Sequence, residues 1–416
     1  MEGSTHWSTK TKAIKEEVMQ PKWELVHFGM LLFFFSIGFL FLGGGSVALA
    51  EDANWSRHQI YSGARVNSAV AHDYNGDGKQ EIIFSAGGEI LILSGIGYET
   101  KRHLAKIPSK YALFKPQCIH CVLHDVDQDG DLDFVGSFVR GVFWLECPDG
   151  DMLSKSWEFH EITNQIFGVH CIRSFDINRD GISEIIVNDF TKDQGPYSSS
   201  VCWLKPVFSK KEKVSWQIVA LADGTANGGS HYFDFGDINN DGLIDFAMGA
   251  KGKPFTDGDY FAIYYSSKNP ETTWRRELLP RAGSQMGATH GAPFDVNRDG
   301  KMDVLATRGH GVGILWFEGP DWKEHIIDDE ISAPHSADFG DIDGDGDIDL
   351  VCVGNKSTLA AWYENDGNGN FSRHVLSRDQ MSYDAMITDL DGDGDKDILV
   401  AGQRSENVVW FENPQN

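Results

Sequence analysis

Seven nine-residue stretches of the form D-x-[DN]-x-D-G-x-x-[DE] carry the clearest chemistry in this chain. Oxygen side chains at the first, third and fifth positions can converge on one hard cation when the loop curls. The sixth-position glycine supplies the backbone freedom for that turn, and the ninth-position acid closes the shell. The sets are Asp73, Asn75, Asp77, Glu81; Asp125, Asp127, Asp129, Asp133; Asp176, Asn178, Asp180, Glu184; Asp237, Asn239, Asp241, Asp245; Asp295, Asn297, Asp299, Asp303; Asp341, Asp343, Asp345, Asp349; and Asp389, Asp391, Asp393, Asp397. One Asp/Gly-rich stretch could be a plain solvated turn, since both residues favour turns for their own reasons. Seven copies, each with the ninth-position acid, argue against that reading, and about seven calcium ions are the expected cofactors. The first and third copies are the weakest, each with a neutral ligand, a longer closing acid and a basic residue in the loop, Lys79 or Arg179.

A second group of residues stands upstream of these loops. His170, His231 and His335 lie six residues before their loop's first Asp, and His120 and His290 lie five before. Tyr383 and Asp384 hold these places in the last repeat, Asn67 and Ser68 in the first. Arg140, Lys251, Lys253, Arg308, His310, Lys356 and Arg404 follow the strand after each loop. Ligand-binding candidates are His120, His170, His231, His290, His335, Arg308, His310, Tyr383 and Arg404; His170, His231, His335 and Tyr383 are the catalytic ones. Imidazole titrates near neutrality and can hold zinc when neutral, so a transition metal on this His-rich face is a further expectation. Taken singly, each His is better read as packing on a neighbouring repeat. Five of seven repeats sharing the feature strengthens the functional reading, although repeats also copy structural residues. His58, His160, His325 and His374 fall on outer strands, far from any central pocket, and read as structural.

The elements that must position these groups are strands. The loop opening resembles that of the EF-hand, whose closing Glu stands at position twelve. Here the acid comes at nine and an apolar run follows at once, as in Ile185-Ile186-Val187 and Ile398-Leu399-Val400, so the loops lie between strands. Loop starts are separated by 52, 51, 61, 58, 46 and 48 residues, a period that means a propeller or array. Each repeat has four apolar pieces: His290–Phe294, Val304-Leu305-Ala306, Gly313–Glu318 and Trp322–Ile327 in the fifth. The chain stops just after its last third strand, while an unpaired fourth-strand match, Trp55–Ile60, precedes the first repeat. The expected fold is therefore all-β: a seven-bladed β-propeller of four-stranded blades, closed by an N-terminal strand in the last blade. The rival open array would leave two sheet edges exposed.

The 416 residues carry 62 acids against 36 Lys and Arg, a net charge of −26. That excludes an ordinary nucleic-acid binder and fits acids seated on divalent ions. Residues 1–50 end in an apolar run, Met30 to Leu42, and then Ala48-Leu49-Ala50, the pattern of a secretory signal peptide. An uncleaved anchor over Leu25–Ala50 is the rival, and would be the only contact with a membrane. Both place residues 51–416, the propeller domain, outside the cytoplasm: secreted, periplasmic or at the cell surface. Six cysteines read as small buried residues, with a disulfide allowed among the early repeats.

The seven loops with trailing apolar strands resemble FG-GAP/VCBS-type propellers, which are related to the integrin α-subunit head. The W-[FY]-E and W-x-x-H-x-I accessories resemble the secreted bacterial branch and the propeller of aldos-2-ulose dehydratase. The resemblance covers about residues 55–412 and implies the fold and calcium rather than an activity, because this fold hosts adhesion, sugar binding and lyase chemistry alike. Nothing matches an added catalytic domain. Three functions compete. The first is a recognition module whose His/Arg/Tyr funnel holds an extracellular carbohydrate or a protein. The second is a carbohydrate-active lyase or dehydratase using His or Tyr as base, with or without a metal. The third is a surface protein that calcium merely rigidifies. The recognition module is favoured, because a propeller without a partner domain suits it. No nucleophile elbow, phosphate loop or HExxH is present.

Overall fold

The computed structural model describes residues 51–52, 54–108, 118–191, 194–208, 214–225, 229–251 and 258–414. These fall in one compact unit, Val47–Asn416. The expected signal peptide or anchor and Lys253 lie outside the described residues. Among those residues there is no helix, and the strands form six sheets. The all-β expectation is borne out.

The repeat unit is an antiparallel meander of four strands. In the first repeat it runs Ala69–His72, Glu81–Ala86, Glu89–Ser94, Thr100–Lys106. The second strands are apolar and buried on both sides, as the Glu81–Ala86 and Asp349–Gly354 strands show, because sheets cover both of their faces. Last strands are mostly exposed or half-buried, as Thr100–Lys106 shows, and so face water as edges should. Each apolar cluster draws on two neighbouring meanders. Trp144 and Ile162 pack with Ile185 and Leu204, and Ile82 and Leu91 of the first repeat pack with Leu399 and Trp410 of the last.

The strand Ser56–Ser62 pairs antiparallel with Asn407–Glu412, so the N-terminal segment supplies the fourth strand of the last meander, the place its fourth-strand pattern implied.

Two sheets depart from the simple four-stranded pattern. Glu51–Asp52 adds a short parallel strand beside Phe371–Ser377. The fourth and fifth meanders fuse into one eight-stranded sheet, because their first strands, Ser230–Gly236 and His290–Phe294, pair in parallel. Glycine permits that approach: a Cβ on Gly291 would lie 2.9 Å from the Met248 amide nitrogen, and one on Gly249 would lie 2.5 Å from the Thr289 backbone. All six cysteines are buried free thiols, so the structure contains no early-repeat disulfide.

Candidate functional site

The first strands have two ends, and the chemistry divides between them. At one end all seven acidic loops adopt one conformation. Their fourth residues (Gln128, Arg179, Asn240 and Arg298 among them) and their sixth-position glycines have positive φ, from 56° to 105°. A Cβ on Gly78, Gly130 or Gly300 would meet nothing within 4 Å, so glycine serves the backbone angle there rather than space. The left-handed fourth position escaped sequence reasoning, because only three of the seven copies put glycine there.

Each loop is held by its own carboxylates. One oxygen of the first Asp accepts the amide of the sixth-position glycine in every copy, at 2.8–3.2 Å. The ninth-position acid accepts the amide of the second residue, also at 2.8–3.2 Å. In the five copies closed by Asp, its other oxygen accepts an amide just beyond the third strand, at 2.7–2.9 Å. In the two closed by Glu, that oxygen takes the side-chain amide of Asn75 (2.6 Å) or Asn178 (2.7 Å) instead. The ninth acid is thus a latch between loop and sheet, and each of its oxygens keeps a lone pair for a cation.

Burial pushes these latch carboxyls up: Asp133 to about 8, Glu184, Asp349 and Asp397 to about 7, Asp245 and Asp303 to about 6. Carboxylate oxygens of Asp125, Asp127 and Asp133 come within 4.8 Å of one another, as do those of Asp176, Asp180 and Glu184. Dense hard oxygen donors that are costly to leave charged and alone fit calcium.

The opposite end gathers the imidazoles. His231 is fully buried, and its Nε2 meets Nε2 of half-buried His310. His170 stacks on His231 at 5.0 Å between ring centroids, and Phe190 lies on the same ring at 4.6 Å. His335 stands 5.2 Å from His310 and 5.9 Å from His231, with the Tyr383 ring at 4.0 Å. The structure therefore unites His170, His231, His310, His335 and Tyr383. Burial lowers all four imidazole pKa values, His170 to about 4 and His310 to about 3, and burial raises Tyr383. Lys251 and Lys356 add to the effect on His310.

One layer deeper, inward-facing groups line a cavity of about 370 Å³. His120 faces Asp384 at 3.7 Å, and Asp384 accepts the hydroxyls of Ser68 (2.6 Å) and Ser336 (2.7 Å). His290 donates from Nε2 to Asp234 at 2.6 Å, and Arg173 forms an ion pair with the same Asp234. The Arg173 guanidinium and His290 hold the Asp234 carboxyl well below the usual range, against its burial. Tyr232 is fully buried among His120, His290 and His335, and its hydroxyl has no hydrogen-bond partner.

Other candidates sit elsewhere. Arg308 is bound to Gln285 (2.8 Å) and Glu324 (3.1 Å), so its charge is spent on its own repeat. Arg404 and Lys356 are exposed, and Arg140 lies exposed over Phe167. Asn67 bridges the Cys118 carbonyl and Gln403. A larger concavity, about 610 Å³, opens at the loop end beside Trp322, but no histidine lines it.

The fold and the repeated loops together define a protein of the β-propeller class with FG-GAP-like repeats. The FG-GAP-like repeat family matches residues 295–352 and 341–400. Among solved structures, an Agrocybe aegerita lectin, described for recognition of non-reducing terminal N-acetylglucosamine, is similar at 16% identity and a TM-score of 0.50. The match covers 86% of this chain and 87% of the lectin. BBS1N, solved in complex with ARL6DN, is similar at 10% identity and a TM-score of 0.56, over 88% of this chain and 98% of its own. Both likenesses concern the fold. No curated protein matches the chain.

Proposed function

We propose that this chain is an extracytoplasmic recognition module: a seven-bladed propeller, braced by about seven calcium ions, that binds carbohydrate at its histidine end. The pairing of Ser56–Ser62 with Asn407–Glu412 and the shared core of first and last repeats support the closed seven-bladed ring. The seven copies of one latched, oxygen-rich loop support the calcium.

The observation that carries the binding role is the cavity of about 370 Å³ in which Ser68, His120, Arg173, Asp234, Ser336 and Asp384 stand beside apolar Val70, Ile172, Phe175 and Met386. Its volume suits a mono- or disaccharide unit. Its hydroxyl, carboxylate and imidazole groups match a ligand covered with hydroxyls, and Phe175 in its lining suits a sugar face. The Agrocybe aegerita neighbour, a lectin by description, is compatible with that role. A protein loop is the other ligand class.

The lyase alternative uses the same end of the molecule, with His170, His231, His335 or Tyr383 as base. Two facts weigh against unaided proton abstraction. The buried imidazoles are pushed down and so hold a proton poorly, and the buried Tyr383 phenol is pushed up and so gives up its own reluctantly.

A glycan array probed with the full chain in calcium tests the reading. Binding of a defined glycan, weakened in Asp384→Asn, is expected; a blank array, with binding of proteins only, would remove the carbohydrate assignment.

A further inference from the structure

We propose that His231, His310 and His335 form a three-histidine site for a transition-metal ion, with zinc the best fit, distinct from the acidic loops. One ring nitrogen from each lies within 4.8 Å of the other two. A tetrahedral zinc with Zn–N near 2.0–2.1 Å spaces its ligand nitrogens about 3.4 Å apart, within the 4.8 Å that bounds this set. Three histidines and one open position make the donor set of catalytic rather than structural zinc. Imidazole nitrogen also selects against calcium, which prefers oxygen.

The hydrogen bonds independently favour ligation. His231 donates its Nδ1 proton to the Ser230 carbonyl at 3.3 Å, which leaves a lone pair on Nε2, the atom that meets His310. A ligand histidine held by a backbone carbonyl through its other nitrogen is the usual arrangement around a metal. Nδ1 of the buried His335 makes no hydrogen bond of good geometry among the described residues, with the Tyr383 backbone its nearest polar neighbour. Among the described residues no carboxylate is paired to any of the three rings. Neutral imidazoles buried side by side are what a cation needs and what plain packing does not explain.

The chain also positions what the metal would hold. The three ligands come from different segments: the strand Ser230–Gly236, the turn before Val312–Glu318, and the strand Pro334–Gly340. His310, the half-buried member, marks the open side. Lys251 and Lys356 act electrostatically on it, so an anionic group is favoured at the fourth position. Tyr383 packs on His335 and fixes its ring plane. The site therefore suits a ligand bearing a carboxylate, such as a uronic acid. This last step rests on the carbohydrate reading; the metal site does not.

The test is elemental analysis of the tag-free full chain after dialysis against calcium with a trace of zinc, followed by replacement of zinc with cobalt(II). About one zinc per chain is expected above the calcium content, and cobalt should give the intense visible bands of tetrahedral nitrogen ligation. Cobalt in the oxygen-lined loops gives only weak octahedral bands, so the two sites are separable. His310→Ala should lose the zinc and the intense bands while keeping the calcium, and with zinc removed from both it should melt close to the wild type. His335→Gln guards against a folding artefact in the first variant. Zinc absent from the wild type, or retained by both variants, would overturn the proposal. Zinc present with a blank glycan array would leave the metal site standing and remove only the carbohydrate reading.

Discussion

The two ends of the first strands differ in almost every physical respect. The loop end is acidic, largely exposed and copied seven times with the same latch. The histidine end is largely buried and uneven among the repeats, with His170, His231 and His335 six residues before their loops, His120 and His290 five before, and none in the first and last. A feature copied in every repeat serves what every repeat needs, which is a rigid turn and a paired sheet. A feature that varies among repeats yet converges in space serves the molecule once. That contrast is the ground for proposing the specific function at the histidine end and an architectural role for the loops.

The largest expected effect strips the loop end. Excess EGTA should lower the melting temperature by many degrees, since each ion held only by the folded chain adds about 2.7 kcal/mol at a concentration 100 times its Kd. EGTA removes zinc as well, so calcium added back alone should restore most of the melting temperature if the loops carry the effect. A melting curve unchanged by EGTA would sink the calcium assignment.

A smaller effect separates the ends from the cavity between them. Asp234→Asn leaves Arg173 and His290 without their buried partner and should cost on the order of 3–5 kcal/mol by urea unfolding. The sign with pH follows from the lowered carboxyl. Its contribution is complete above the unfolded-state value near 3.9 and is lost as pH falls below it. Asp338 and Asp384 face the same network, and the variant should show a shallower loss of stability below pH ~4 than the wild type. Equal acid slopes would show that those other carboxyls dominate.

The loop end can also be broken one copy at a time. Asp345→Ala should remove one calcium and cost no more than about 2.7 kcal/mol, because blades contact only their neighbours. Elemental analysis reads the ion, and melting reads the cost. Global unfolding would mean that the ring is more tightly coupled than a chain of repeats.

Much of this was legible in the sequence, and the limits are physical. The nine-residue spacing marks the loops because a local turn needs local residues. The distance from each histidine to its loop marks the first-strand positions because strand length is nearly constant. Which partner each side chain takes is set in three dimensions. Arg308 looked like a rim cation but reaches Glu324 on its own outermost strand. His310 looked like one of several loop residues, and only folding places it against His231, 79 positions away. The fusion of the fourth and fifth meanders follows from Gly249 and Gly291, small residues whose spacing signals nothing by itself.

The finest comparison lies among the histidines themselves. His58, His160, His325 and His374 each stack on a tryptophan of the adjacent third strand, at 4.4–4.5 Å, and each bonds a glutamate two residues beyond it. These Trp–His–Glu groups come from the W-x-E and W-x-x-H patterns and hold the outer edge of the blade. His374→Ala removes a stack on Trp362 and a 2.7 Å bond to Glu364, and should cost on the order of 1 kcal/mol. His310→Ala should cost less, because the inner ring is half-buried and donates no bond to an acid. Melting curves of the two variants, run with metal removed, compare the stability terms alone. A larger loss for His310→Ala than for His374→Ala would make the inner histidines structural and erase the distinction on which the functional site rests.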